Sequence, residues 1–337
     1  MAGHGCTAKG NTMRSALHSS FGDPAEVLHP GDSPTPAPQA GEVRIKMRLS
    51  PIHNHDLWTV RGSYGYKPTL PAIGGSEAVG IVDAVGAGVP DALIGKRVAA
   101  GGVHGSWAEY FLAQAAGIVP LPDSISDEDG AQLIAMPFSA ISLLEFCQLS
   151  AGDWVVQTAA NGAVGKIFAA LAKARGIHTV NLVRRADAVA ELQVMGMENV
   201  LSTDAADWKA QAHAIIGPQG ARAAIDSVGG KLGGDLCDLL GNEGLLVVFG
   251  TATGAPLELS SGAMIMKHLT IRGFWGSKVS AEMPGADKAR LMGELLRLAS
   301  QGALSLSTGG IFDLADIGAA VRAAGIPGRA GKILLRP

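Results

Sequence analysis

The stretch 153–249 constrains the fold more than any other part of the chain. Residues 154–158 form a short apolar run of buried-strand length, and a loop of small residues, Thr158-Ala159-Ala160-Asn161-Gly162-Ala163-Val164-Gly165, follows directly. Residues 164–174 then have helical composition ending near Gly176, and 179–183 is strand-like again. The rhythm repeats at 223–225 and 245–249, with a helix between them over about 230–240. Strands that alternate with helices require crossovers covering both faces of a parallel sheet. The expectation is therefore an α/β chain with a doubly wound parallel sheet, whose alternation stops near Thr270. The later helix around 288–300 and the strands near Ile311 and Ile333 then have to pack elsewhere.

The first part of the chain is β-rich. Val43-Arg44-Ile45-Lys46-Met47 alternates with the two-residue period of a half-buried strand, and 78–85, 97–100 and 107–112 are further strand candidates. Residues 34–41 are a Pro/Ala/Gly turn segment, and Ser126 with Asp129 three positions on marks a helix start. A length of 337 residues fits about two domains.

Composition excludes several classes. Lys and Arg number 27 against 30 Asp and Glu, so 27 − 30 = −3, which provides no basic stripe for nucleic acid and no polybasic membrane patch. With 47% hydrophobic and 17% charged residues the chain can bury a large core. No run reaches the roughly 18 apolar residues of a membrane span; the best stretch, 130–144, contains Gln132 and Pro137 and is bounded by Asp129 and Glu145. Cys6, Cys147 and Cys237 are too few and too dispersed for a disulfide framework, which points to a reducing compartment, and the cytoplasm is expected. Residues 1–12 lack the apolar core of a secretory signal and read as a disordered leader.

The loop after the first strand carries the chemistry. Aligned to the G-x-G-x-x-G dinucleotide fingerprint, it places Ala160 at the first glycine and supplies Gly162 and Gly165, with Asn161, Ala163 and Val164 between and beside them. Such a loop lets backbone N–H groups approach a pyrophosphate at the positive end of a helix; close strand–helix packing is the alternative reason for small residues there. The next strand ends in Arg184-Arg185, where an NAD site usually has an acidic residue for the ribose hydroxyls. Two guanidinium groups suit a 2′-phosphate, so NADPH is the expected cofactor, the alternative being a pair of solvated surface arginines.

Across nearly its whole length the sequence resembles the medium-chain dehydrogenase/reductase superfamily. The resemblance rests on Gly74-Gly75-Ser76-Glu77-Ala78-Val79-Gly80, Gly95-Lys96-Arg97-Val98, the Gly162/Gly165 loop and Gly331-Lys332-Ile333-Leu334-Leu335. It implies a GroES-like β-rich catalytic domain over 13–126 and 271–337, interrupted by a Rossmann domain over 127–270. It also implies an active site in the cleft between domains and a homodimer. The catalytic-zinc positions of the zinc enzymes correspond to His53, Ser76 and Met136, of which only His53 has a ligating side chain, so no metal is expected.

Within the zinc-free group the sequence is similar to 2-enoyl thioester reductases. Arg61-Gly62-Ser63-Tyr64-Gly65-Tyr66-Lys67-Pro68, Asn181-Leu182-Val183-Arg184-Arg185 and Arg272-Gly273-Phe274-Trp275-Gly276-Ser277 carry the likeness. It implies Tyr64 as proton donor, and Phe249, Gly250, Phe274, Trp275, Ser277 and Lys332 as cofactor-binding positions. Two positions depart from the pattern. Met136 replaces a cofactor-contacting asparagine, and His53-Asn54-His55 replaces the usual Asn-Pro-Ser, bringing two imidazoles toward the substrate.

The expected reaction is zinc-independent, NADPH-dependent reduction of an activated C=C bond, in a 2-enoyl thioester or an enone, by hydride transfer and protonation. Tyr64 suits the donor role because a phenol stays protonated at neutral pH, and His55 is the alternative acid. Asp56 and Glu77 read as structural anchors, and Cys147 and Cys237 as buried small hydrophobes. Other readings are an NADPH:quinone oxidoreductase, a zinc-dependent alcohol dehydrogenase and a non-catalytic nicotinamide-binding protein.

Overall fold

The computed structural model describes residues 12–304, 306–326 and 328–337. The leader therefore lies outside the described residues, as does Cys6, except for Thr12, which opens the strand Thr12–His18. The chain divides into two compact units, the first made of residues up to 135 together with 299–337, the second of 136–298.

The first unit is built on the strand Glu42–Pro51, whose inward positions Val43, Ile45 and Met47 alternate with more exposed ones as the sequence period requires. It pairs antiparallel with Glu77–Val85 and Tyr110–Gln114. The C-terminal strand Lys332–Arg336 returns beside its end, Leu334 opposite Pro51 and Leu335 opposite Ser50. That strand pairs in parallel with Thr308–Asp313 across the helix Ile317–Ala324. The helix buries Ile317, Ala320, Val321 and Ala324, a single stripe at i, i+3, i+4 and i+7. A separate three-stranded sheet joins Thr12–His18 to His29–Pro34 and Ala72–Ile73. The stretch expected as a strand over 107–112 starts pairing in earnest at Tyr110, because Trp107 is fully buried and its indole N–H donates to the Pro51 carbonyl at 3.1 Å.

The second unit holds six parallel strands: Trp154–Gln157, His178–Val183, Val200–Ser202, Ala221–Asp226, Leu240–Val248 and Thr270–Gly273. Numbered along the chain, they lie in the order third, second, first, fourth, fifth, sixth, which is the doubly wound Rossmann arrangement. Buried Val155, Val156, Val180, Leu182, Ala223, Ala224, Leu246 and Val247 give the continuous apolar runs of a sheet covered on both faces.

Both expected boundaries move. The short helix Asp127–Gly130 falls in the first unit, because Asp127 accepts from Arg48 at 3.0 Å and from Arg97 at 2.8 Å. The alternation does not stop at Thr270, since Thr270–Gly273 pairs with Leu240–Val248 as the sixth strand. The helix Gly285–Ser300 is held mainly within the second unit, through Glu294 bound twice by Arg175 and Arg290 bound to Glu145 at 2.6 Å. The return to the first unit comes at 299, not at 271.

One glycine fixes a strand spacing that no other residue permits. A Cβ on Gly80 would lie 2.2 Å from the Lys46 carbonyl oxygen, and backbone in a paired strand cannot yield as a side chain does. Gly80→Ala is expected to lower unfolding stability by about 1–3 kcal/mol, read from the urea midpoint.

Candidate active site

In the second unit, the loop after the first strand forms the turn that a phosphate cradle needs. Ala159 takes a left-handed conformation (φ 51°), one position before the residue aligned to the first glycine. Gly162 caps the helix Ala163–Ala174, whose first N–H groups, on Ala163, Val164 and Gly165, have no intrahelical carbonyl to bind. Gly165 is required for packing: a Cβ there would sit 2.8 Å from the Ala160 Cα. Ala160 is itself fully buried and gives its N–H to the Leu182 carbonyl at 3.0 Å, so the exposed part of the loop is Asn161, Gly162 and Ala163. Beneath it, the Gln157 amide donates to the Gly165 carbonyl at 2.9 Å and to Asn181 Oδ1 at 2.7 Å, tying loop, helix and second strand together.

The arginine pair divides. Both residues are exposed at the end of the second strand, and Arg185 Nε lies 3.0 Å from Asp187 Oδ1, so among the described residues Arg184 is the guanidinium of the two left open to an anion. Phe249 and Gly250 direct their N–H groups to the Asp226 carbonyl at 2.7 and 3.1 Å. Phe274 is buried between Phe146 and Phe249, at ring-centroid distances of 5.3 and 5.8 Å, and so shapes the region from within. Trp275 and Ser277 are exposed. This exposed helix start, small-residue turn and free guanidinium fit a dinucleotide with a 2′-phosphate.

Tyr64, His55 and Lys332 lie in the first unit. His53 and His55 flank the start of the helix Asn54–Arg61, with rings stacked at 4.9 Å. Tyr64 stands against His55 at 5.8 Å between centroids, and Trp58 lies 6.5 Å from Tyr64. Below them, His53 Nε2 is 2.7 Å from Glu77 Oε2, while Glu77 Oε1 accepts the Ile134 and Ala135 N–H groups at 2.6 and 3.0 Å. Both members of this pair are fully buried. Burial pushes Glu77 up to about 7 and His53 well below its ordinary value, so the neutral pair is favoured, with one proton in the 2.7 Å contact. Burial also pulls Lys332 down to about 8, next to the carboxylates of Asp56 and Glu77. Among the described residues, His53 Nδ1 has no hydrogen-bond partner.

The zinc-ligand positions do not fit a metal. His53 is bound to Glu77 and Ser76 to Asp56, and among the described residues no group of three His, Cys, Asp or Glu is placed to hold an ion. What the sequence did not reveal is that Ser76 joins His55 to Asp56; these residues lie about twenty positions apart, and no local pattern connects them.

The alcohol dehydrogenase GroES-like domain model matches residues 39–123, and the zinc-binding dehydrogenase model matches 163–290. The human mitochondrial enoyl-[acyl-carrier-protein] reductase is 31% identical over 281 residues, covering 82% of this chain and 75% of that protein. Its Caenorhabditis elegans counterpart is 33% identical over 248 residues, with 72% and 70% covered. The chain belongs to the medium-chain dehydrogenase/reductase superfamily, and it is an oxidoreductase of that type. Among solved structures it is similar to a candidate NADPH:quinone reductase of Bacillus thuringiensis, with a TM-score of 0.89, 29% identity and 97% and 99% of the two chains covered. A mycobacterial protein solved with NADPH matches at a TM-score of 0.82 and 26% identity, over 96% of this chain and all (100%) of that one.

The buried Glu77 makes stability depend on pH. The unfolded chain releases this proton near its ordinary 4.5 and the folded chain near 7, so between those values the folded state binds more protons and loses stability as pH rises. Glu77→Gln keeps an acceptor for the two backbone N–H groups and cannot ionise. Its stability relative to wild type is expected to improve from pH 5 to pH 8 by up to about 3 kcal/mol, measured by urea unfolding of both proteins at each pH.

Proposed function

We propose that the protein is an NADPH-dependent reductase of activated C=C bonds, in 2-enoyl thioesters or enones, that works without zinc. The observation that carries this reading is the adjacency of two proton-bearing rings, Tyr64 and His55, 5.8 Å apart, beside His53 and Ser76, whose side chains are held by Glu77 and Asp56. When bound, a nicotinamide nucleotide supplies the hydride. The Tyr64 hydroxyl then gives its proton to the α-carbon, and His55 stands next to it to restore that proton. The exposed Asn161–Gly162–Ala163 turn and Arg184 hold the cofactor's phosphates.

Quinone reduction is the second reading. It draws on the solved relatives named for that activity and on the flat aromatic surface of Tyr66 stacked on His104 at 4.2 Å. Since a quinone does not depend on one positioned donor, Tyr64 separates the two readings. A screen of NADPH consumption over enoyl thioesters, enones and quinones, with NADH in parallel, is expected to favour NADPH with an enoyl or enone acceptor. Tyr64→Phe should lower that turnover by about 10²–10⁴-fold. Preserved turnover with quinones as the best acceptors would instead favour the second reading, and a preference for NADH would remove Arg184 from cofactor recognition.

We further read the chain as a homodimer. Among the described residues the strand Thr270–Gly273 pairs on one side only, and the preceding helix Ser261–Lys267 exposes Ile265 and Met266 at 69% and 79%. Light scattering after size exclusion is expected to give twice the chain mass. No described helix is long and apolar enough to cross a membrane. The free, buried Cys147 and Cys237 suit a reducing compartment, and cell fractionation would distinguish the cytoplasm from the mitochondrial setting of the named relatives.

A further inference from the structure

The reading above employs Tyr64 and His55 and leaves Ser76 and Asp56 without a role. Their geometry is specific. His55 Nε2 lies 2.8 Å from Ser76 Oγ, Ser76 Oγ donates to Asp56 Oδ1 at 2.6 Å, and Asp56 Oδ2 accepts the His53 N–H at 2.9 Å. The direct His55–Asp56 separation is 3.5 Å, so the serine hydroxyl is the link between them. The Ser76 hydrogen is committed to Asp56, which turns an oxygen lone pair toward His55. The imidazole must then carry its hydrogen on Nε2, and Nδ1 becomes the basic ring atom.

The arrangement is held rigidly. Asp56 is 3% exposed, and the stacked His53 fixes the plane of the His55 ring. Gly75, at φ +93°, precedes Ser76 in a turn wedged against Trp107; a Cβ there would lie 2.4 Å from the indole Cδ1. We propose that Ser76 and Asp56 are positioning residues that set the tautomer of His55, so that Nδ1 is the atom exchanging the reaction's proton with Tyr64 or the substrate. This rests on the reductase reading for its chemistry, but the tautomer itself can be read without any turnover.

The test uses the full chain. Long-range ¹H–¹⁵N spectra, with His55 assigned by the signals lost in His55→Asn, should show the Nε2–H form in wild type. Ser76→Ala removes the oxygen that fixes the Nε2–H and should admit a measurable share of the Nδ1–H form, and Ser76→Thr should restore the wild-type form. Asp56→Asn keeps an acceptor for the His53 N–H but can donate to Ser76, reversing the hydroxyl and favouring Nδ1–H. With the best acceptor, Ser76→Ala should lose about 10-fold in kcat and displace the pH–rate profile, while Ser76→Thr rescues both. The groups around His55 that also shape this profile are Asp56, His53, Glu77 and Tyr64, with Lys332 acting on His53 and Glu77. An Nδ1–H form in wild type, or a tautomer and pH profile unchanged in both Ser76→Ala and Asp56→Asn, would overturn the proposal. The predicted tautomer shift in a protein inactive on every acceptor would uphold the positioning and reject only the reductase reading.

Discussion

The first unit depends on one buried carboxyl group. Glu77 opens a central strand, and its two oxygens bind His53 just before the Asn54–Arg61 helix and the N–H groups of Ile134 and Ala135, where the chain leaves the unit. Its own carbonyl takes hydroxyl hydrogens from Ser50 and Ser106. Three segments distant in sequence therefore converge on residue 77. An apolar residue there would leave the Ile134 and Ala135 donors unsatisfied in the interior, a cost that buried polar groups do not tolerate. Burial in turn favours the neutral forms of His53 and Glu77, and this pair lies beneath the stacked His55 and the Tyr64 ring beside it.

The second unit obeys a different constraint, the close approach of backbone to backbone. Gly165 allows the helix Ala163–Ala174 to sit against Ala159 and Ala160, and that contact aims the helix start at the loop. The small residues thus serve packing and the exposed N–H groups together; the two explanations of the motif describe different residues of one turn. Ala160 and Gly165 pack, whereas Asn161, Gly162 and Ala163 face outward.

Much of the architecture was legible because periodicity and punctuation are local. The strand–loop–helix unit at 154–174, the alternating strand at 43–47 and the Ser126 cap, whose hydroxyl accepts the Asp129 N–H, all follow from neighbouring residues. The boundaries were not legible, because ion pairs decide them: Arg175 with Glu294, and Asp127 with Arg48 and Arg97. Arg184 and Arg185 looked equivalent in sequence, yet Asp187 engages only Arg185.

By itself the sequence determined that a glycine-punctuated βα unit must build a parallel sheet, that Ser76 and Met136 stand at two positions the resemblance aligns with zinc ligands, and that Tyr64 and two histidines lie close along the chain. These are properties of residue type and spacing. Only the tertiary structure decided what the histidines touch, because Glu77 and Ser76, at the start of the Glu77–Val85 strand, come from elsewhere in the chain: His53 binds Glu77, and His55 binds Ser76, which in turn donates to Asp56. A hydrogen bond between side chains some twenty residues apart depends on how the strands pair, and that pairing is set by the burial of the whole core.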